Sequence, residues 1–313
     1  MSRKRYEWKL RSSTLLLGER TVIVGVLNVT PDSLADEGRY QDPERALARA
    51  FELVEQGAGI VEIGAESIRP DSERVSEAEE LRRLVPVLKR LRGALSVSLC
   101  VETAKSAVAE KALEYGVEIV KDPSGCIWDP ALAKVVAKYN AGLVIQHMRG
   151  TPQTWAKLPG LKNPAGSIVT AIKASISRAA RAGVLPQRIV VDPGLGMGKR
   201  KEHNTELIRQ IETLIETTLP IQISPTGKQF VTTPPLGPSN SMASAAAVAA
   251  ILRGVPLVRI HDIPEIRPAI LTADEMLLVQ GAPAPERGEK KDKDRPGADA
   301  PRRSVRAPLK PRS

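Results

Sequence analysis

At 313 residues and a formal net charge of +10, the chain is long enough to bury a full core, as one large α/β barrel or as two ordinary domains. Its 42% hydrophobic and 26% charged residues are those of a soluble globular protein, and only 3% aromatic residues make the core aliphatic. No apolar stretch approaches the roughly 18 residues of a membrane span. The two cysteines, Cys100 and Cys126, are too few for a disulfide framework and lack metal-ligand spacing, so a cytoplasmic protein without a membrane partner is expected.

In chain order, Tyr6 to Leu17 followed by Gly18-Glu19 predicts a small hairpin leading into an apolar strand at Val22 to Leu27. That strand ends in Asn28, Thr30, Asp32 and Ser33, with Pro31 barring regular continuation. Asp42-Pro43 opens a helix whose Ala46, Ala50, Phe51 and Val54 are expected on one face, closed by Gly57 and Gly59. Further strand-like runs lie at Ile60 to Ile63, Ser96 to Val101, Val117 to Val120, Leu143 to Ile145, Ile189 to Val191, Ile221 to Ile223 and Val255 to Ile260. Helical patterns occupy Glu77 to Leu91, Ser106 to Glu114, Pro130 to Tyr139, Ala165 to Ala182, Asn204 to Thr217, Ser241 to Arg253 and Pro264 to Leu278.

Eight strands, each followed by a helix, over about 250 residues predict a closed parallel (β/α)8 TIM barrel. The expected organisation is a hairpin over 1–21, a barrel over 22–281 and a disordered basic tail over 282–313. A doubly wound sheet is the runner-up, but it would place G-x-G-x-x-G after the first strand, and none is there. The tail has hardly an apolar side chain to bury and carries much of the positive excess. A solvated tail without a partner is expected; contacts with nucleic acid or anionic lipid would be weak and salt-sensitive, and no aromatic residue interrupts its Lys and Arg to allow base stacking.

In such a barrel the chemistry belongs at the C-terminal ends of the strands. Those ends read Asn28; Glu62 to Pro70; Glu102-Thr103; Lys121-Asp122; His147 to Gly150; Asp192 to Gly194; Thr226-Gly227-Lys228; and Arg259 to Asp262. All are polar or charged, while the strand interiors are mainly apolar. Arg69, Lys228, Arg259 and His261 could converge on an anionic substrate, and Asp192, Glu102 and Asp122 could accept hydrogen bonds from a flat, donor-rich ring. Asn28 offers a neutral oxygen, which suits Mg²⁺ held mainly by substrate phosphates and water.

The motifs G-V-L-N-V-T-P-D-S at Gly25 to Ser33, G-A-E-S-I-R-P at Gly64 to Pro70, H-M-R-G-T-P at His147 to Pro152, D-P-G-L-G-M-G-K at Asp192 to Lys199 and R-I-H-D at Arg259 to Asp262 resemble the dihydropteroate synthase family of pterin-binding barrels. The resemblance runs in order from about Thr21 to Leu278. It implies a folate-pathway transferase that joins 6-hydroxymethyl-7,8-dihydropterin diphosphate to 4-aminobenzoate with release of pyrophosphate. It further implies Mg²⁺ at Asn28, Arg259 and His261 beneath the diphosphate, and mobile-loop roles for Asp36 and Arg69. Asp192 matches the carboxylate that holds the pterin amino edge, and Lys228 the residue touching both substrates. Glu102, Lys121 and Met197, with Ile68, Pro70 and Gln229, match the remaining substrate-binding positions. The family's habit also implies a homodimer.

The chain departs from the family pattern mostly at the pterin floor, with Glu102 for Asp, Lys121 for Asn, Ala65 for Gly and Ile68 for Thr. Thr226-Gly227-Lys228-Gln229 replaces Ser-Arg-Lys-Ser, and Leu34 and Met197 replace two Phe. An ammonium gives a pterin donor no acceptor and is costly to bury alone. Because strands three and four are neighbours, an ion pair between Glu102 and Lys121 is expected, with nitrogen and carboxylate within ~4 Å. Three readings follow: an active synthase, a non-catalytic paralogue that binds a pterin or a partner, and a methyltransferase of the same barrel family. The diphosphate apparatus of Arg259, His261 and the first loop weighs against the last.

Among the remaining residues, His147 and His261 stand at strand ends, whereas His203 is expected just before a helix in a capping or surface role. Gly194, Gly196 and Gly198 read as a tight strand-to-helix turn rather than a phosphate loop. Cys100 reads as an inert core thiol, and Cys126 is given no role.

Overall fold

The computed structural model describes residues 3–31, 39–215, 217–226, 229–230 and 239–277, all within the compact unit Met1–Gln280. Strands β1 (Tyr6–Lys9) and β2 (Thr14–Leu17) form the expected antiparallel hairpin. The barrel strands are β3 (Val22–Asn28), β4 (Ile60–Gly64), β5 (Ser98–Glu102), β6 (Ile119–Asp122), β7 (Gly142–Gln146), β8 (Ile189–Asp192), β9 (Gln222–Ile223) and β10 (Leu257–Ile260). They pair in parallel in the order β8-β7-β6-β5-β4-β3-β10-β9. A single parallel bridge between Val191 and Ile221 joins the two ends of that order, which closes the barrel. Asp32, Ser33, Leu34, Asp36, Gly227, Lys228 and the tail lie outside the described residues.

The helices are α1 (Pro43–Glu55), α2 (Glu77–Leu91), α3 (Ser106–Glu114), α4 (Leu132–Tyr139), α5 (Pro164–Arg181), α6 (Lys201–Arg209), α7 (Glu212–Ile215), α8 (Ser239–Ile251) and α9 (Ile263–Met276). Local chemistry starts them. Asp42 caps α1 by accepting from the backbone N–H groups of Glu44 and Arg45 at 3.1 and 2.9 Å, with Pro43 in the first turn. In α2, Ser76 caps the start, Glu77, Glu79 and Glu80 fill the first turn and Lys89 and Arg90 the last, as the helix dipole favours.

Two expectations shift. The buried stripe of α1 is Ala46, Ala50 and Leu53, and Phe51 is exposed, because 100° per residue carries position 51 well off that stripe. The helix expected from Asn204 to Thr217 begins at Lys201 and breaks between α6 and α7. Among the described residues, no helix is long and apolar enough to cross a membrane.

The inward-facing residues of the barrel form two tiers, because side chains alternate along each strand. The lower tier is apolar: Val24, Ile60, Cys100, Ile119, Val144, Val190 and Leu257 pack together with Trp8, Leu10 and Leu17 of the hairpin. The hairpin thus plugs the end of the barrel where the strands begin. Trp8 is 1% exposed, and its indole N–H donates to the carbonyl of Arg188, just ahead of β8, at 2.9 Å. Gly142 admits the plug, since a Cβ there would stand 2.6 Å from Leu10 and 3.2 Å from Trp8. The outer faces of the strands meet the helices in a larger aliphatic core that includes Leu27, Val61, Val101, Val120, Leu143 and Val191.

Replacing Trp8 with Ala removes the plug and leaves the Arg188 carbonyl unpaired. The expected loss of unfolding free energy is about 3–5 kcal/mol, read from urea denaturation.

Candidate active site at the barrel mouth

One residue pair further along the strands, the inward tier becomes polar. Strand alternation sends Glu62, Glu102, Lys121, Asp192 and Arg259 into the barrel from β4, β5, β6, β8 and β10. Glu102 and Lys121 are register partners. The expected ion pair is present, with Lys121 Nζ 2.8 Å from Glu102 Oε2, well inside the ~4 Å limit. It is half of a larger network. Lys121 Nζ also stands 3.5 Å from Glu62 Oε1, while Arg259 donates through Nε to the same Glu62 oxygen at 2.6 Å and places Nη2 3.6 Å from Glu102 Oε2. Each carboxyl therefore meets both cations.

Burial sets the energetics. The Lys121 and Glu62 side chains are each 1% exposed. Burial opposes charge on Lys121, and so does Arg259, but Glu102 and Glu62 outweigh both and hold its pKa above the ordinary lysine value. Burial likewise opposes charge on Glu102, yet Lys121 and Arg259 hold its carboxyl down to about 2. Arg259 stays cationic on the same grounds, against the cost of burial.

Asp192, at the end of β8, is fully buried. Its Oδ1 accepts from the Gly194 N–H at 2.7 Å, and its Oδ2 from Gln222 Nε2 at 3.1 Å and Ser224 Oγ at 3.2 Å. Each oxygen has two lone-pair directions, so Asp192 is oriented without being saturated. Asp122 differs from expectation. Being next to the inward Lys121, it faces outward, and its carboxylate folds back onto the N–H groups of Ser124 and Cys126, both at 2.8 Å, and onto the Ser124 hydroxyl at 2.7 Å. It is a turn cap and not a ring acceptor.

The two mouth histidines are neutral in this protein. Burial, reinforced by the nearby Arg259, lowers His261 to about 3. Burial with Lys199 and Arg149 lowers His147 to about 2. Both imidazoles therefore favour the neutral form, able to donate through one ring nitrogen and accept through the other. His203 sits inside the first turn of α6, not ahead of it, and caps by accepting from the Arg200 N–H at 3.2 Å. Burial raises both thiols, so neither Cys100 nor Cys126 is a poised nucleophile.

The loops above this tier are tied to one another. After β8, Gly194 and Gly198 adopt φ of 65° and 68°, and a Cβ at Gly194 would stand 1.9 Å from the His147 carbonyl oxygen. Lys199 closes the turn by donating to the carbonyls of Gly194, His147 and Met197 at 2.7, 3.1 and 3.2 Å. Met197 is half-buried in that turn. Gln229 uses both ends of its carboxamide on backbone, accepting from Thr226 N–H and donating to the Leu195 carbonyl, each at 2.9 Å. It acts here as a holder of loops. After β4, Ile68 and Arg69 are half-buried and Pro70 is exposed. Gln153 Nε2 donates to the Ser72 carbonyl at 2.6 Å, which fastens this loop to the one following β7.

Asn28 ends β3 beside its register partner Gly64, where a Cβ would stand 3.5 Å from Asn28 Oδ1. Among the described residues, no group of three or more His, Cys, Asp or Glu is placed to hold a metal ion. Gln222 and Ser224 were not singled out from the sequence, and Glu62 stood there only as the first residue of a strand end. Their signal is a polar residue at inward parity within an apolar run, as in I-V-E-I-G and I-Q-I-S.

Removing one member of a buried network leaves its partners uncompensated. Lys121→Met is expected to cost about 3–5 kcal/mol in urea unfolding, and adding Glu102→Gln should cost less than the two single losses summed. Stability should also fall with acid. His147 and His261 take up a proton on unfolding anywhere between their folded values of about 2 and 3 and the ordinary 6.5. Their contribution is therefore complete above about pH 6.5 and is lost progressively below it. His261→Asn should make the decline of the urea midpoint from pH 7 to pH 5 shallower.

Known proteins resemble this chain in sequence and in fold. Residues 24–261 match the family described as pterin binding enzyme. The dihydropteroate synthase of Synechocystis is 34% identical over 263 residues, covering 83% of this chain and 91% of the relative. The crystal structure of Yersinia pestis dihydropteroate synthase with a sulfonamide drug complex superposes with a TM-score of 0.80 at 31% identity, covering 86% of this chain and 98% of that one. The Clostridium difficile enzyme, solved in the presence of pteroic acid, gives a TM-score of 0.75 at 36% identity over 83% of this chain and 98% of its own. With the barrel, the ordered strand-end motifs and these likenesses in agreement, the chain belongs to the pterin binding enzyme family, among the dihydropteroate synthases of folate biosynthesis.

Proposed function

We propose that the protein condenses 6-hydroxymethyl-7,8-dihydropterin diphosphate with 4-aminobenzoate and releases pyrophosphate. The observation that carries this reading is the charge balance of the floor: Lys121, the departure hardest to reconcile with a pterin pocket, is neutralised by Glu102 and Glu62 instead of standing alone. The non-catalytic alternative rests on the altered floor as a whole, of which Lys121 is the hardest change to reconcile.

In this reading Asp192 holds the amino edge of the pterin, and Glu102 supplies a second acceptor from the facing wall. The bond from the pterin methylene carbon to the diphosphate oxygen breaks with its electron pair passing to that oxygen. The amine nitrogen of 4-aminobenzoate then bonds to the methylene carbon and sheds a proton. Negative charge builds on the departing diphosphate, so a cation fixed in advance stabilises the transition state more than the ground state. Arg259 meets this need because Glu62 holds one edge of its guanidinium, and five N–H donors leave others for the anion. His261, kept neutral, adds a hydrogen bond. Arg69 and Asp36 belong to the loops that close over the leaving group, and Lys228 to the contact shared by both substrates. Ile68, Pro70, Met197 and Gln229 complete the set that binds the two substrates.

The mouth suits Mg²⁺ that arrives with its phosphates: Asn28 is one neutral oxygen beside a glycine, the kind of sparse protein contribution such an ion accepts. When bound, Mg²⁺ neutralises part of the diphosphate charge. A homodimer in a cytoplasmic setting completes the reading, in keeping with the family resemblance.

Purified protein supplied with both substrates and Mg²⁺ should release pyrophosphate, and Arg259→Ala should lower kcat by about 10²-fold or more. No turnover by the native chain, together with turnover gained by Glu102→Asp plus Lys121→Asn, would overturn the proposal in favour of the non-catalytic paralogue.

A further inference from the structure

Gln146 is the last residue of β7 and is fully buried, yet neither its carboxamide nitrogen nor its carboxamide oxygen has a hydrogen-bond partner among the described residues. A buried carboxamide left unpaired at both ends is costly, and native folds rarely retain one without a use for it. Its direction follows from the strand. Val144, two residues earlier, packs in the inward apolar tier with Val190 and Ile119, so Gln146 points to the same interior, one step nearer the mouth. The ladder supplies its neighbours: Gln146 is the register partner of Asp192, and Val144 that of Lys121 and Val190. Gln146 therefore shares the depth of Asp192 at the end of the barrel that holds the charged network.

We infer that Gln146 is a specificity-determining residue that reads the ring of the substrate, its amide nitrogen donating to a ring acceptor and its amide oxygen accepting from a ring N–H. The inference rests on the proposed synthase function. The ligand class is a planar heterocycle with an amide-like edge, on which acceptor and N–H are adjacent, because a primary carboxamide pairs with such an edge through two hydrogen bonds. Lys121 is held by Glu102 and Glu62 and offers the ring no acceptor, so the floor loses the hydrogen bonding that an amide at that position would direct to a ring. Gln146 restores a neutral donor and a neutral acceptor beside Asp192. The environment is dry, which strengthens each bond made to a fitting ring and raises the penalty for one that leaves the carboxamide unpaired.

Gln146→Met preserves volume and removes both polar ends. Titration calorimetry with 6-hydroxymethyl-7,8-dihydropterin, which lacks the diphosphate, should show binding weakened by about tenfold. Affinity for inorganic pyrophosphate should stay at the native level, and the urea midpoint should hold or rise because an unpaired buried amide is gone. Unchanged dihydropterin affinity in a folded Gln146→Met protein would overturn the inference, as would a sharp fall in stability, which would mean that the carboxamide is satisfied within the fold or by an internal water. If that variant does not fold, Gln146→Asn, which keeps the amide but withdraws it by one methylene, serves instead: weakened dihydropterin binding supports the inference and native binding overturns it. Native protein that binds no dihydropterin would overturn the synthase reading itself, whereas equal binding by native and variant proteins overturns only the role of Gln146.

Discussion

Four charged side chains facing one another inside the barrel constrain everything above them. Glu62, Glu102, Lys121 and Arg259 come from four different strands, and each carboxyl lies against both cations at between 2.6 and 3.6 Å. Taking such groups out of water costs several kcal/mol apiece, and only close mutual pairing offsets it. Their geometry is consequently tied to the register of the ladder. A slip of one residue in β6 would turn Lys121 outward and send Asp122 into the cavity. The network marks the level at which an apolar, plugged interior gives way to a site.

In the proposed reaction that network divides labour. An arginine whose guanidinium is already held by Glu62 needs no reorganisation when charge develops on a leaving group, which is the physical advantage of a preorganised cation. Asp192 is oriented in the same manner, by a backbone N–H, an amide and a hydroxyl. Above them, the loops are fastened by side chains that touch backbone: Lys199 on three carbonyls, Gln229 across two loops, Gln153 between two others. Polar residues at strand ends thus split into those aimed at the cavity and those that hold the mouth in shape.

Much of the local structure was legible in the chain. Helices α2 and α3 fall on their predicted bounds, because each carries an unbroken apolar stripe and, in α2, Ser76 and an acidic first turn mark the start. The hairpin, the eight strands and the order of the motifs were readable for the same reason: periodicity, turn residues and caps act over a few residues. Phe51 shows the limit, since sharing a helix with Ala46 and Ala50 does not place it on their face. The break between α6 and α7 lay in a region where no strong local signal marked an end.

By itself, then, the sequence determined the barrel architecture, the polar character of every strand end and the family, and adjacency of the third and fourth strands was enough to expect the Glu102–Lys121 pair. Only the tertiary structure decided the rest. Whether a strand residue faces the cavity or the helices depends on ladder register across strands far apart in sequence, which is why Asp122 proved a turn cap and Glu62 a partner of Arg259. The state of His261 depends on burial and on a neighbouring cation, neither of which a linear pattern encodes. Gln146 was passed over between an apolar strand and a recognisable histidine motif. The role proposed for it rests on a missing partner, and a missing partner is a property of packed space rather than of sequence.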